Sequence, residues 1–79
     1  MSNLSIQGQD RDAQLLCELA QSALASSSVH VLNKLRVEQL DDSLLISGRV
    51  DTYYHKQLAQ ELVRAVAGEY HVVNAVDVD

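Results

Sequence analysis

The sequence predicts an α+β fold, a two-layer α-β-β-α-β sandwich in which a three-stranded mixed sheet carries two helices on one face. Three observations predict it. A strand-like run, Leu44-Leu45-Ile46-Ser47-Gly48-Arg49-Val50, leads directly into a helix-like run from about Thr52 to Ala67. Gly68 ends that run, and a second strand-like segment, Val72-Val73-Asn74-Ala75-Val76-Asp77-Val78, follows it. Upstream, a further alternating run and an amphipathic helix complete the order. Elements of this kind bury their apolar sides by stacking as layers.

Each element has its own signal. Residues 1–9 are polar and without periodicity, so they read as a disordered tail, and residues 10–79 as one domain. A first helix is expected from about Asp10 to Ala25. Ala13, Leu16, Leu19, Ala20, Ala23 and Leu24 recur at the spacing of a single buried stripe. Asp10 and Asp12 suit the positive end of its dipole. Ser26-Ser27-Ser28 ends it, because serine competes for backbone hydrogen bonds. Val29 to Asn33 has neither period and reads as a connector.

Lys34 to Leu40 alternates Leu35, Val37 and Gln39 against Lys34, Arg36 and Glu38, as a half-buried strand does. Asp41-Asp42-Ser43 has tight-turn composition, so the first two strands form an antiparallel hairpin. Leu44, Ile46, Gly48 and Val50 share one face of the second strand. Asp51 or Thr52 is suited to cap the second helix, whose stripe is Leu58, Ala59, Leu62, Val63 and Val66. Gly68 is placed for the left-handed position beyond its end. The crossover through this helix makes the third strand parallel, beside either the second strand or the first.

Composition narrows the function. Seventy-nine residues with 47% hydrophobic and 22% charged residues make one ordinary globular core. The net charge is −5, and the six Lys and Arg are scattered. Phosphate backbones are bound by clustered positive charge, so nucleic acid is excluded as a partner. A single cysteine, Cys17, leaves no internal disulfide and no Cys-based zinc site. No signal peptide or membrane-spanning run is read, which makes the default location cytoplasmic.

Catalytic and cofactor chemistry finds no constellation. His30, His55 and His71 share no metal-ligand spacing. Asp41-Asp42 is turn chemistry before it is an acid/base pair, and no serine sits in a nucleophile elbow. The reading is therefore no enzyme, no cofactor and no metal. Gly48, inside a strand, marks a close approach, with helix packing preferred over ligand contact. Tyr53-Tyr54 offers contact area with polar tips, the chemistry enriched at interfaces. Leu45 and Val73 sit with Ala75 on the sheet face that the helices leave open.

Several of these residues resemble a known family. Leu35-x-Val37 before a short turn, Leu45-x-x-Gly48-x-Val50, Lys56-x-x-Ala59, and Gly68 followed by Val73-Asn74-x-Val76-x-Val78 are similar to the BON domain. That name refers to bacterial osmotically induced and nodulation-related proteins. The resemblance runs from about Leu16 to Val78. It departs at Asp42-Ser43, where the family often has a glycine, and at Glu69, where it often has an apolar residue. The resemblance implies an α-β-β-α-β fold, Gly48, Gly68 and Asn74 as structural positions, and no catalytic residues. It also implies a binding module, in a family found among stress proteins and linked to phospholipid membranes.

The expectation is thus a non-catalytic binding module of BON type. Its partner is an unknown protein or a second copy of itself, through Tyr53, Tyr54, Leu45 and Val73, with membrane lipid as the other candidate. Negative charge ranks protein above lipid, since polybasic clusters drive attachment to anionic membranes. The alternative is a sensor of potassium or calcium, motivated by the acidic excess and by a potassium-binding relative within the family.

Overall fold

The apolar strand midway along the sequence is also the middle of the sheet. The computed structural model describes residues 3–79, with side chains from residue 13 onward. Helix α1 spans Asn3–Ala25 and a 3-10 helix spans His30–Lys34. They are followed by β1 (Arg36–Leu40), β2 (Ser43–Val50), α2 (Tyr53–Ala67) and β3 (His71–Val78). The strand order is β1-β2-β3. β1 pairs antiparallel with β2, and β2 pairs parallel with β3 along its full length, from Ser43↔His71 to Val50↔Val78. The third strand therefore lies beside the second, which settles the two positions left open by the sequence.

The core lies between the sheet and the helices. β2 contributes Leu44, Ile46 and Val50, β3 contributes Val76, and Val37 comes from β1. Ala20 and Leu24 of α1 and Ala59, Val63 and Ala67 of α2 meet them, with Leu32 and Leu35 closing the end. Fully burying each of the larger aliphatic side chains stabilises the fold by about 1.5–3 kcal/mol. Small residues at the helix positions let both helices approach the sheet. Leu58, Leu62 and Val66, the other members of the expected α2 stripe, are partly buried and pack against this core.

Helix α1 begins earlier than its periodicity indicates. The helix already includes residues 3–9, where a disordered tail was expected, while residues 1 and 2 lie outside the described residues. Asp10 and Asp12 accordingly fall inside the helix, not in its first turn, and the dipole reading of them does not hold. Leu19 is a second correction, since it stays 46% exposed. It follows Leu15 by one turn on the outward side, and Leu15 is 54% exposed.

Local chemistry fixes the remaining boundaries. The connector after α1 is the 3-10 helix, and β1 starts after it, at Arg36 and not at Lys34. The Asn33 side-chain amide donates to Leu24 O at 2.9 Å and to Ser27 O at 3.0 Å. It thereby ties the last turn of α1, where Leu24 O also accepts from the Ser27 N–H at 3.3 Å, to the turn that follows. The hairpin turn is Asp41-Asp42, with Asp41 at φ 53°, a conformation aspartate tolerates better than most residues. Thr52 caps α2, its hydroxyl accepting from the His55 N–H at 3.1 Å. Gly68 has φ 61° but ψ −122°, so it ends the helix in a glycine conformation other than the left-handed helical one.

Gly48 sits at a close approach within the fold. Its φ is 129°, and a Cβ there would lie 2.7 Å from Leu35 Cδ2 and 3.4 Å from Leu35 Cα. The close neighbour is thus the residue that leads into β1, where helix packing had been expected.

Candidate interaction surface

The sheet has two faces and two edges, and the protein treats each differently. One face is filled by the helices. On the other, the register sets rows across the three strands: Leu40, Ser43 and His71; Glu38, Leu45 and Val73; Arg36, Ser47 and Ala75; then Arg49 beside Asp77. Leu40 is 49% exposed and Val73 46%, with Leu45 half-buried between them. Leu40, Leu45, Val73 and Ala75 thus make a diagonal apolar band across all three strands, bordered by Arg36, Glu38, Arg49 and Asp77. Leu45 and Val73 are direct neighbours in it.

Tyr53 and Tyr54 are elsewhere. They open α2, beyond the far end of β2 from the hairpin, and are 75% and 70% exposed. Neither ring closes the core. Tyr54 stands tilted against His55 with ring centres 5.6 Å apart. His55 Nδ1 meets Asp51 Oδ1 at 2.6 Å. That hydrogen bond, followed by one from the Asp51 backbone, holds the Asp51 carboxyl below the usual carboxylate range. The structure therefore brings Leu45 and Val73 together and leaves the tyrosine pair at a separate place.

The two edges differ through backbone chemistry that the sequence pattern does not express. In β1 the N–H and C=O of Val37 point away from β2, because its neighbours on either side carry the ladder. Helix α1 takes up these groups. Gln21 Oε1 accepts from Val37 N at 2.8 Å, and Gln21 Nε2 donates to Leu35 O at 2.7 Å. The Cys17 thiol points at Val37 O, 3.3 Å away. Burial, then the carboxylates of Glu18 and Glu38, push this thiol up.

At the β3 edge nothing among the described elements takes that place. His71 N–H donates to Asp42 O and Asp79 N–H to Val50 O, so the odd-numbered residues of β3 turn their backbone groups toward β2. By alternation Val72, Asn74, Val76 and Val78 turn theirs outward. Val76 N–H is met by the strand's own Asn74 Oδ1 at 3.2 Å. Asn74 Nδ2 also donates to Lys56 O at 2.9 Å and to Gln60 Oε1 at 3.2 Å, tying β3 to α2.

Among the described residues one concave place combines charges of both signs. An open groove of about 390 Å³ lies at the ends of β2 and β3, with His30, Lys34 and Arg49 facing Asp51 and Asp79. Its charges are mixed, and the Arg49–Asp79 pair is 4.0 Å apart and well exposed, a geometry that contributes little. Among the described residues no three His, Cys, Asp or Glu side chains gather as metal ligands. None of the helices among the described residues is long and apolar enough to cross a membrane.

Compared with family models, with curated proteins and with solved structures, the chain matches none. The surface itself therefore carries the functional argument.

Proposed function

We propose that this chain is a non-catalytic protein-interaction module of BON type that binds its partner through the open face of the sheet. The observation that carries the reading is the diagonal band of exposed Leu40 and Val73 with half-buried Leu45 between them, on the sheet face opposite the helix-packed core. Apolar side chains gathered in one place and rimmed by charge are what a protein partner buries. The α-β-β-α-β order supports the BON assignment, as do the strand glycine at Gly48 and the short α2 that ends at Gly68. A net charge of −5 supports a protein partner over an anionic lipid surface. Tyr53 and Tyr54 take a secondary place in this reading, because they stand apart from the band.

The test is site-specific photo-crosslinking in the native host, with a benzophenone side chain at Leu40 and a control at Glu61 on the outer side of α2. The expected result is a discrete protein adduct from position 40 and none from position 61. Adducts with lipid alone, or equal labelling from both positions, would overturn the proposal.

A further inference from the structure

We infer that the open edge of β3 pairs antiparallel with β3 of a second copy, centred on Asn74, to give a continuous six-stranded sheet. This deepens the protein-interaction reading and rests on it, naming a second copy as the occupant of the edge. An unpaired strand edge is a template for another strand. Proteins that stay monomeric blunt such edges with proline, lysine, a bulge or a covering segment. β1 is short and is covered by Gln21 and Cys17. β3 has eight residues, contains no proline or lysine, and pairs with β2 in unbroken register.

The register follows from the side chains. A two-fold axis perpendicular to the sheet at Asn74 sets Val72 opposite Val76 of the second copy and Val73 opposite its Ala75. His71 then stands opposite Asp77, and symmetry makes that pair twice. Apolar meets apolar on both faces, and an imidazole N–H faces a carboxylate. Moving the axis by one residue to Ala75 brings His71 opposite Asp79, but it sets Val73 against Asp77 and Asn74 against Val76, an apolar side chain against a polar one on each face. The same axis suits the backbone. Asn74 N–H and C=O exchange reciprocal bonds across the seam, and Val72 N–H meets Val76 O, all from groups that now point outward. Among the described contacts, the 3.2 Å bond from Val76 N–H to Asn74 Oδ1 must yield for the ladder to close. Both helix layers fall on one side of the joined sheet. On the other side the apolar bands of the two copies meet through Val73 and Ala75.

Sedimentation equilibrium and amide hydrogen exchange test this on the intact chain. The expected mass rises with concentration toward twice the 8.7 kDa of one chain. Exchange at Val72 and Asn74 is expected to slow as concentration rises, while Val73, Ala75 and Asp77, bonded to β2, stay protected throughout. His71→Asp places like charges opposite each other twice and is expected to weaken association about tenfold or more. Adding Asp77→His restores the pair in the opposite sense and is expected to recover it. Both residues are exposed, so the fold tolerates the exchange. A chain that stays monomeric at millimolar concentration, with fast exchange at Val72 and Asn74, overturns the edge pairing. A dimer that the double exchange fails to rescue overturns the register. A monomer that still forms a Leu40 adduct with another protein leaves the interaction module standing without this partner. A monomer with no adduct removes both.

Discussion

Replacing Gly48 with alanine isolates the most demanding requirement that this fold places on its sequence. At φ 129° an L side chain is strained whatever the space around it. A residue held in such a sparsely populated region costs about 1–3 kcal/mol. The added Cβ also lands 2.7 Å from Leu35 Cδ2. That atom is the far end of a flexible side chain, but Leu35 is itself only 1% exposed and has little room to turn. Overpacking of this kind costs about 1–3 kcal/mol. The combined loss is about 2–6 kcal/mol. A domain of this size has a total stability of about 4–12 kcal/mol. The assay is urea unfolding followed by circular dichroism, with Gly48→Ala, Leu35→Ala and the double variant compared. Leu35→Ala removes the clashing atom and leaves the backbone strain. The double variant should therefore lose less than the sum of the singles by about 1 kcal/mol or more. A Gly48→Ala protein within about 0.5 kcal/mol of the parent would refute the reasoning, and strict additivity would remove the Leu35 contact from it.

Other outcomes follow from named contacts. Gln21→Ala uncovers the β1 edge by stripping bonds from Val37 N and Leu35 O; a loss of about 1–3 kcal/mol is expected by urea denaturation, together with faster amide exchange at Val37. Thr52→Ala removes the α2 cap and should cost about 1 kcal/mol, with Thr52→Ser recovering most of it. Asp51 has a folded pKa below its unfolded value of 3.8. Its carboxylate therefore adds stability above the unfolded pKa, and that stability is lost as pH falls through the lowered folded value. Asp51→Asn should accordingly be less stable than the parent near neutral pH and equal to it once both are fully acidified, in paired urea titrations. Leu19→Gln, on the exposed side of α1, should change stability by no more than about 0.5 kcal/mol in the same assay.

The element order was legible in the sequence because period and punctuation agreed along most of it. Alternation marked β2 and β3, and the threonine and glycine flanking α2 marked its ends. Where the signals were weaker, the reading failed for identifiable reasons. Helix α1 extends back to Asn3 through residues that carry no apolar stripe to reveal it. Leu19 fits the apolar spacing of α1 yet faces outward, because spacing alone does not set how wide a stripe the sheet can cover. Leu45 and Val73 were placed together by simple alternation, while Tyr53-Tyr54 was grouped with them on chemistry alone and lies apart. The contrast between the edges was invisible, since Gln21 and Val37 are far apart in sequence and the direction of a backbone N–H leaves no mark on residue type.

The measurement that bears most directly on the open sheet as the working surface is a two-dimensional amide spectrum of uniformly labelled protein over a concentration series. The account expects shifts and broadening at Val72 to Val78 and at Leu45, with Tyr53, Tyr54 and the resonances of α1 unmoved. Shifts centred on Tyr53 and Tyr54 would contradict it, and none at any concentration would remove the β3 edge pairing and leave the open face to the Leu40 crosslinking test.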